Sequence, residues 1–121
     1  FIDSPKILNQ DFSTKKDPNI FFAGQITGVE GYMESASSGI LAGINAYRRL
    51  KGESTLCLPA ETMMGSLSLY VSQSASKDFQ PMGANFGILP EIKPHIRDKK
   101  ERYSAFAKRS LEKLKEGCFQ I

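Results

Sequence analysis

The fold class of this chain is decided by the stretch IFFAGQITGVEGY at residues 20–32. Its first four residues are an apolar run, bounded by the turn DPN at 17–19 and by Gly24, which predicts a short strand buried on both faces. Three glycines then fall within eight positions and predict a loop of unusual backbone freedom. A strand, a glycine loop and a following helix are typical of α/β domains.

A long helix is predicted to follow this loop, from Glu30 or Tyr32 to Leu50. Apolar residues recur near helical spacing along it, and small residues form a second stripe. Because a glycine inside a helix costs about 1 kcal/mol relative to alanine, the second stripe predicts a close approach by another backbone or a ligand. The apolar positions are Met33, Ile40, Ile44 and Tyr47, and the small ones are Ala36, Gly39, Gly43 and Ala46.

Two further helices and an ordered loop are predicted in the second half of the chain. One helix follows Pro59, with Met63, Leu67 and Tyr70 on its core face, and the other runs from Pro94 or Ile96 to Lys115. Between them, residues 72–94 are rich in Ser, Gly and Pro, but their apolar members predict a loop tucked into the core. The expected fold class is mixed α/β, with one short buried strand, a glycine-rich loop and about three helices. The apolar loop members are Phe79, Phe86, Ile88 and Leu89.

The bulk composition is that of one soluble globular domain. Of 121 residues, 40% are hydrophobic and 24% are charged, and no apolar run approaches the roughly 20 residues that a membrane span needs. The chain begins at Phe1 without an initiator Met or a targeting signal, which indicates a piece of a longer protein. Two separated cysteines favour free thiols in a reducing cytoplasm, with Cys57 expected to be buried between two leucines and Cys118 exposed.

Positive charge is concentrated at the end of the chain. Residues 91–116 contain nine Lys and Arg against five Asp and Glu, within a net charge of +3 for the whole chain. This excess favours contact with a polyanion. The alternative is a solvated helix surface with ion pairs at spacings of three and four. Tyr103 and Phe106 are interpreted as core residues rather than as platforms for base stacking.

The glycine loop is the one pattern with a clear chemical use. A helix start presents unpaired N–H groups and partial positive charge, and glycines let a flat or anionic ligand approach. Neither GxGxxG nor GxxxxGK occurs, so a tight βα turn without a ligand remains the alternative. His95 is the only histidine, which excludes a multi-histidine metal site, and no residue pair in the sequence marks an activated nucleophile.

Five motifs, taken together, resemble the folate- and FAD-dependent tRNA (uracil-5-)-methyltransferase family, which is related to the glucose-inhibited division protein A family. They are FAGQITGVEGY at 22–32, ESA at 34–36 with GILAGINA at 39–46, LPxET at 58–62, FQPMxANFG at 79–87 and IRDKKERY at 96–103. The resemblance implies the carboxy-terminal portion of such an enzyme. Residues 1–52 would complete a Rossmann-like FAD-binding domain, and residues 53–121 would form a helical segment with a basic tail packed on the same core.

The resemblance also implies the chemistry of the parent enzyme. It would methylate C5 of a T-loop uridine in tRNA with methylenetetrahydrofolate, reduced FAD and NAD(P)H. The family's catalytic cysteines and its ADP-binding unit would lie outside this chain, so neither cysteine here is assigned a catalytic role and the isolated chain is expected to be inactive. The FAD-contacting residues would be Gly24, Gln25, Thr27, Gly28, Val29, Glu30, Gly31 and Tyr32. The tRNA-contacting residues would be Arg97, Lys99, Lys100 and Arg102.

Two alternatives remain open at the level of sequence. The FAD protein that installs carboxymethylaminomethyl groups on wobble uridines has a similar glycine loop and helix. A non-catalytic module for tRNA binding or assembly would also account for the basic tail and for the Gly39 and Gly43 stripe.

Overall fold

A computed structural model describes residues 1–75 and 77–117 of the chain. Within them the fold is mixed α/β, which confirms the predicted class. Three long helices lie in the predicted regions, and a one-turn helix precedes them. The last one begins at Lys99 instead of Pro94 or Ile96, because Asp98 caps it. The elements in chain order are α1 (Ser4–Ile7), β1 (Val29–Glu30), α2 (Tyr32–Leu50), α3 (Met63–Gln73), β2 (Met82–Gly83) and α4 (Lys99–Glu116), with 3₁₀ turns at Gln25–Thr27 and Phe86–Ile88.

The sheet joins the glycine loop to the second half of the chain. Strands β1 and β2 are parallel, with Val29 opposite Met82 and Glu30 opposite Gly83. The Met82 N–H donates to the carbonyl oxygen of Gly28 at 2.8 Å. Residues that follow β2 are therefore held beside the end of the loop and the start of α2.

The predicted strand at residues 20–23 is wrong in its details. Phe21 makes only an isolated antiparallel bridge to Ser13, and Ile20 is 49% exposed, so the segment is neither a full strand nor buried on both faces. Phe12 is the reason, because its φ of +70° turns the neighbouring chain after one residue pair. The side chain of Phe12 is fully buried in the core.

Helix α2 has the predicted ends but buries a different face. Its buried residues are Ser38, Leu41, Ala42 and Asn45. Of the four positions in the predicted apolar stripe, Ile44 is half-buried against the core, but the other three point outward, with Met33 76%, Ile40 63% and Tyr47 59% exposed. A Cβ added at Gly39 or Gly43 would meet no atom of the described residues within 4 Å, so the close approach predicted there is not made within this part of the chain.

The core lies between the lead-in, α2 and α3. It contains Leu8 and Phe12 from the lead-in, Leu41 from α2, and Leu67 and Val71 from α3. Phe79 and Leu89 of the long loop are buried as predicted, whereas Phe86 and Ile88 are half-buried. One apolar cluster therefore includes residues from both sides of position 52.

A buried polar network ties the lead-in to α2 and to the segment after it. The side chain of Asn45 donates to the carbonyl oxygens of Asp11 (3.2 Å) and Leu56 (2.8 Å) and accepts from the Leu56 N–H (2.6 Å).

The side-chain carboxyl of Asp11 is buried beside this network. Burial raises the pKa of Asp11, but hydrogen bonds from Ser13 and Thr55 and the charge of Arg49 outweigh this effect and hold the pKa below its ordinary value. Asp11 is therefore a buried carboxylate.

Cys57 is exposed, so its predicted burial is wrong. Asn45 fixes the backbone of Leu56, and the Leu56 side chain is buried. Because side chains alternate in direction along an extended segment, the side chain of Cys57 points outward. Partial desolvation, together with the negative charge of Asp11, raises the pKa of the Cys57 thiol, which leaves it protonated at neutral pH. The prediction for Cys118 lies outside the described residues.

Among the residues that the structure describes, no helix has the length and apolar character required to cross a membrane.

Candidate functional site

The glycine loop owes its shape to three residues with positive φ. Gly24, Gly28 and Gly31 have φ values of +81°, +96° and +114°, which are conformations that other residues rarely adopt. Between the first two lies the 3₁₀ turn Gln25–Thr27. The three glycines of the sequence motif are therefore required by the backbone itself.

Buried hydroxyl groups hold the loop in place. The Ser4 Oγ donates to the carbonyl oxygen of Thr27 at 2.6 Å, and the Thr27 Oγ1 donates to the carbonyl oxygen of Gly24 at 2.7 Å. The Gly24 N–H donates to the Oγ of Ser38 in α2 at 2.8 Å. The loop is thus tied to the one-turn helix before it and to the long helix after it.

Phe79 covers the inner side of the loop. A Cβ at Gly28 would lie 2.5 Å from the ring of Phe79, whereas a Cβ at Gly24 would meet no described atom within 4 Å. The Phe79 ring is 5% exposed and contacts Tyr70 at a centroid distance of 5.6 Å. One side of the loop is therefore filled by the core, and the side at Gly24 is open.

The start of α2 is left without a side-chain cap. Gly31 occupies the capping position, and no side chain of the described residues accepts from the first N–H groups of the helix. The carboxylate of Glu34 lies beside Gly31 and accepts a hydrogen bond from the Ala84 N–H at 3.1 Å. The hydroxyl of Ser35 is buried and has no partner among the described residues. Unpaired donors and one carboxylate therefore lie together at this end of the helix.

The eight predicted cofactor-contacting residues differ in burial. Thr27, Gly28 and Val29 are buried and hold the loop together, and Gly24 is half-buried. The remaining four are exposed on the loop and at the helix start, Tyr32 with 97% of its surface accessible. The exposed residues are Gln25, Glu30, Gly31 and Tyr32.

The predicted basic residues lie together at the start of α4. Asp98 caps this helix, accepting from the Glu101 N–H at 2.9 Å, and Arg97, Lys99 and Lys100 are exposed around it. Arg102 differs, because it is half-buried and donates to the carbonyl oxygens of Ile96 and Arg97 at 3.2 and 3.4 Å. Three of the four are thus open to a ligand, and the fourth also shapes the chain before the helix.

Sequence reasoning missed the residues that support the loop. Ser4, Ser38 and Phe79 lie 14 or more positions from their loop partners, and no periodicity of the sequence points to them. Glu34 carries a local signal, since an acidic residue in the first turn of a helix interacts favourably with the helix dipole.

Comparison with known proteins gives consistent matches. Residues 1–54 match the family described as glucose inhibited division protein A. Methylenetetrahydrofolate–tRNA-(uracil-5-)-methyltransferase TrmFO of Streptococcus suis is 58% identical over 117 residues, which are 96% of this chain and 26% of that protein. The enzymes of the same name from Streptococcus agalactiae and Streptococcus thermophilus are each 57% identical, over 96% and 94% of this chain and 26% of their own length.

The chain spans about a quarter of the length of these curated relatives, and the match extends over nearly all of its own length. The loop with its three glycines, the long helix and the basic helix all fall within the matched span. The chain is therefore similar over nearly all of its length to one portion of the methylenetetrahydrofolate–tRNA-(uracil-5-)-methyltransferases, and over residues 1–54 to glucose inhibited division protein A.

Proposed function

We propose that this chain supplies one wall of an FAD site and part of the tRNA-binding surface of a methylenetetrahydrofolate-dependent tRNA (uracil-5-)-methyltransferase. The observation that carries the proposal is the 58% identity to an enzyme of that name over 96% of the chain. The full-length enzyme would act on C5 of a T-loop uridine in the cytoplasm, and no catalytic residue is assigned to this chain.

The geometry of the glycine loop supports FAD as the ligand that binds against it. A flat ring system can approach the open side of Gly24, and the first N–H groups of α2 are uncapped. The carboxylate of Glu34 beside Gly31 would repel a diphosphate but can accept hydrogen bonds from sugar-like hydroxyl groups. The residues therefore fit the isoalloxazine and ribityl half of FAD, with the ADP half bound elsewhere in the enzyme.

When bound, a reduced flavin supplies reducing equivalents for transfer of the folate one-carbon unit, and NAD(P)H would regenerate it. The role of this chain is electrostatic and positional. The N–H groups of Tyr32 and Met33 at the helix start favour negative charge on an adjacent ring. The buried hydroxyls of Ser4 and Ser38 keep the loop from relaxing away from that ring.

The start of α4 supports the tRNA surface. This helix carries seven basic residues against three acidic ones, and within the described residues Arg97, Lys99 and Lys100 form no ion pair. Lys and Arg side chains that are free in this way can bind backbone phosphates and release counterions from the nucleic acid.

The exposed apolar face of α2 indicates that another segment of the full-length polypeptide packs against it. Met33, Ile40, Tyr47 and Leu50 expose between 59% and 85% of their surfaces, an apolar area that folded proteins rarely leave open to water. The glycines between them allow another backbone to approach closely. About three quarters of the length of the relatives lies outside the span that matches this chain, which is long enough to contain such a segment.

The proposal is tested in the full-length enzyme carrying this chain, with labelled methylenetetrahydrofolate and a tRNA transcript. Reversing Arg97, Lys99 and Lys100 to Glu should weaken tRNA binding at least tenfold near physiological salt and make the affinity less dependent on salt, because three phosphate contacts are lost. Methyl transfer at saturating tRNA should be retained.

A matched control reverses three exposed lysines elsewhere, Lys6, Lys16 and Lys51, and changes the net charge equally. This control should bind tRNA within about threefold of the unmodified enzyme, since these lysines lie on the lead-in and after α2, outside the proposed tRNA surface. Equal weakening of both variants would show a net-charge effect without a local surface. Absence of methyl transfer to tRNA by the unmodified enzyme would contradict the proposed activity.

A further inference from the structure

A second candidate binding feature lies 50 to 80 residues beyond the glycine loop. A cavity of about 270 Å³ opens between the turn at Phe86–Ile88, residues 91–96 and the first half of α4. Its walls are mainly apolar, with a few polar groups among the lining residues. The lining includes Phe86, Glu91, His95, Arg102, Tyr103 and Phe106.

Three aromatic rings form one wall of this cavity. Phe86 stacks on Tyr103 with a centroid distance of 4.2 Å and an interplanar angle of 16°, and on Phe106 at 5.5 Å and 24°. Phe106 is 8% exposed, as expected for a core residue, but Phe86 and Tyr103 are half-buried. Near-parallel rings with accessible surface are a suitable platform for another planar ring.

Cations and hydrogen-bonding groups surround the same platform. The Lys99 Nζ and the Arg102 Cζ lie 5.5 and 5.6 Å from the centre of the Tyr103 ring. Arg102 is fixed by its two hydrogen bonds to backbone carbonyl oxygens, and the exposed residues His95 and Glu91 also line the cavity. The cavity thus combines a stacking surface, groups that can bond to a base edge, and positive charge for a phosphate.

We propose that this cavity binds one unstacked base of the tRNA, with its ring on the aromatic platform and its phosphate against Lys99 and Arg102. Sequence-tolerant binding of single-stranded RNA uses this combination of aromatic rings and cations. A tRNA is favoured over a small anionic ring compound, because exposed lysines recur along α4 from Lys99 to Lys115, over about 24 Å, which exceeds the reach of a small ligand. The inference rests on the proposed tRNA-binding function.

The test measures tRNA affinity of the full-length enzyme with Tyr103→Leu, which keeps an apolar side chain of similar volume but removes the ring. We expect about tenfold weaker binding with an unchanged salt dependence, because stacking is lost and phosphate contacts are kept. Tyr103→Phe retains the ring and should bind within twofold of the unmodified enzyme.

Each other outcome has a distinct meaning. If the unmodified enzyme binds tRNA and Tyr103→Leu binds it equally well, the base pocket is refuted and the proposed function stands. If the unmodified enzyme does not bind tRNA, the proposed function fails as well. If Tyr103→Leu raises only the KM for methylenetetrahydrofolate, the cavity holds folate and the inference is wrong.

A second variant guards against loss of folding in Tyr103→Leu. His95 is exposed, so His95→Ala leaves the packing unchanged and removes only a group at the edge of the cavity. Should circular dichroism show that Tyr103→Leu is unfolded, His95→Ala decides the question. Weakening of tRNA binding by threefold or more supports the pocket, and an unchanged affinity refutes it.

Discussion

Gly65→Ala should destabilise the chain by about 3 kcal/mol. Gly65 is buried in the first turn of α3, and an added methyl group would overlap the carbonyl oxygen of Pro59 and lie 2.6 Å from the Oγ1 of Thr62. Backbone atoms cannot move aside as a flexible side chain can, and Thr62 caps the helix by accepting from the Gly65 N–H at 3.0 Å. The substitution therefore adds steric strain and disturbs the cap, which alone is worth about 1 kcal/mol.

Urea denaturation of the 121-residue chain measures this effect, with Gly43→Ala as the matched control. Gly43 lies in the interior of α2, and a methyl group added there meets no described atom within 4 Å. Alanine at that position should stabilise the helix by roughly 0.5 to 1 kcal/mol. If Gly65→Ala has the stability of the unmodified chain, the packing at the start of α3 is other than described.

Asn45→Ala should also cost about 3 kcal/mol of stability. Its three hydrogen bonds join α2 to the backbone of Asp11 and Leu56, and the side chain is completely buried. Truncation leaves the Leu56 N–H and two carbonyl oxygens buried without partners, each at a cost of about 1 to 3 kcal/mol, partly relieved if water enters.

Thermal and urea unfolding check the Asn45 prediction against Asn19→Ala. Asn19 lies on the exposed turn at residues 17–19, where a change from asparagine to alanine should alter stability by no more than about 0.5 kcal/mol. Equal stability of the two variants would mean that the buried network contributes little to the association of the lead-in with α2.

Sequence patterns predicted where the helices lie better than which of their faces are buried. Helix α2 begins and ends at the predicted residues, because the three glycines before it and the glycine after it are local signals. The face that α2 buries was not predictable from hydrophobicity. The buried face includes the polar residues Ser38 and Asn45, whereas most of the apolar stripe is exposed. Hydrophobic periodicity identifies a face that needs cover, without identifying which segment covers it.

In the candidate sites too, features set by local backbone conformation were predicted and features set by distant contacts were not. The glycine loop was predicted because positive φ values restrict the residue types locally, at Gly24, Gly28 and Gly31. The aromatic cavity was not predicted, because Phe86 and Tyr103 are 17 positions apart and meet only through tertiary packing. The exposure of Cys57 likewise follows from a distant contact, the one between Asn45 and the backbone before the cysteine.

The most direct test of the central claim is titration of the full-length enzyme with FAD, comparing Gly24→Ala with Gly52→Ala. Both glycines have positive φ and open space around an added Cβ, but only Gly24 lies on the proposed flavin wall. We expect at least tenfold weaker FAD binding for Gly24→Ala, because the added methyl group occupies the space where the ring approaches, and no change for Gly52→Ala. Equal FAD affinity of both variants and the unmodified enzyme would contradict this prediction.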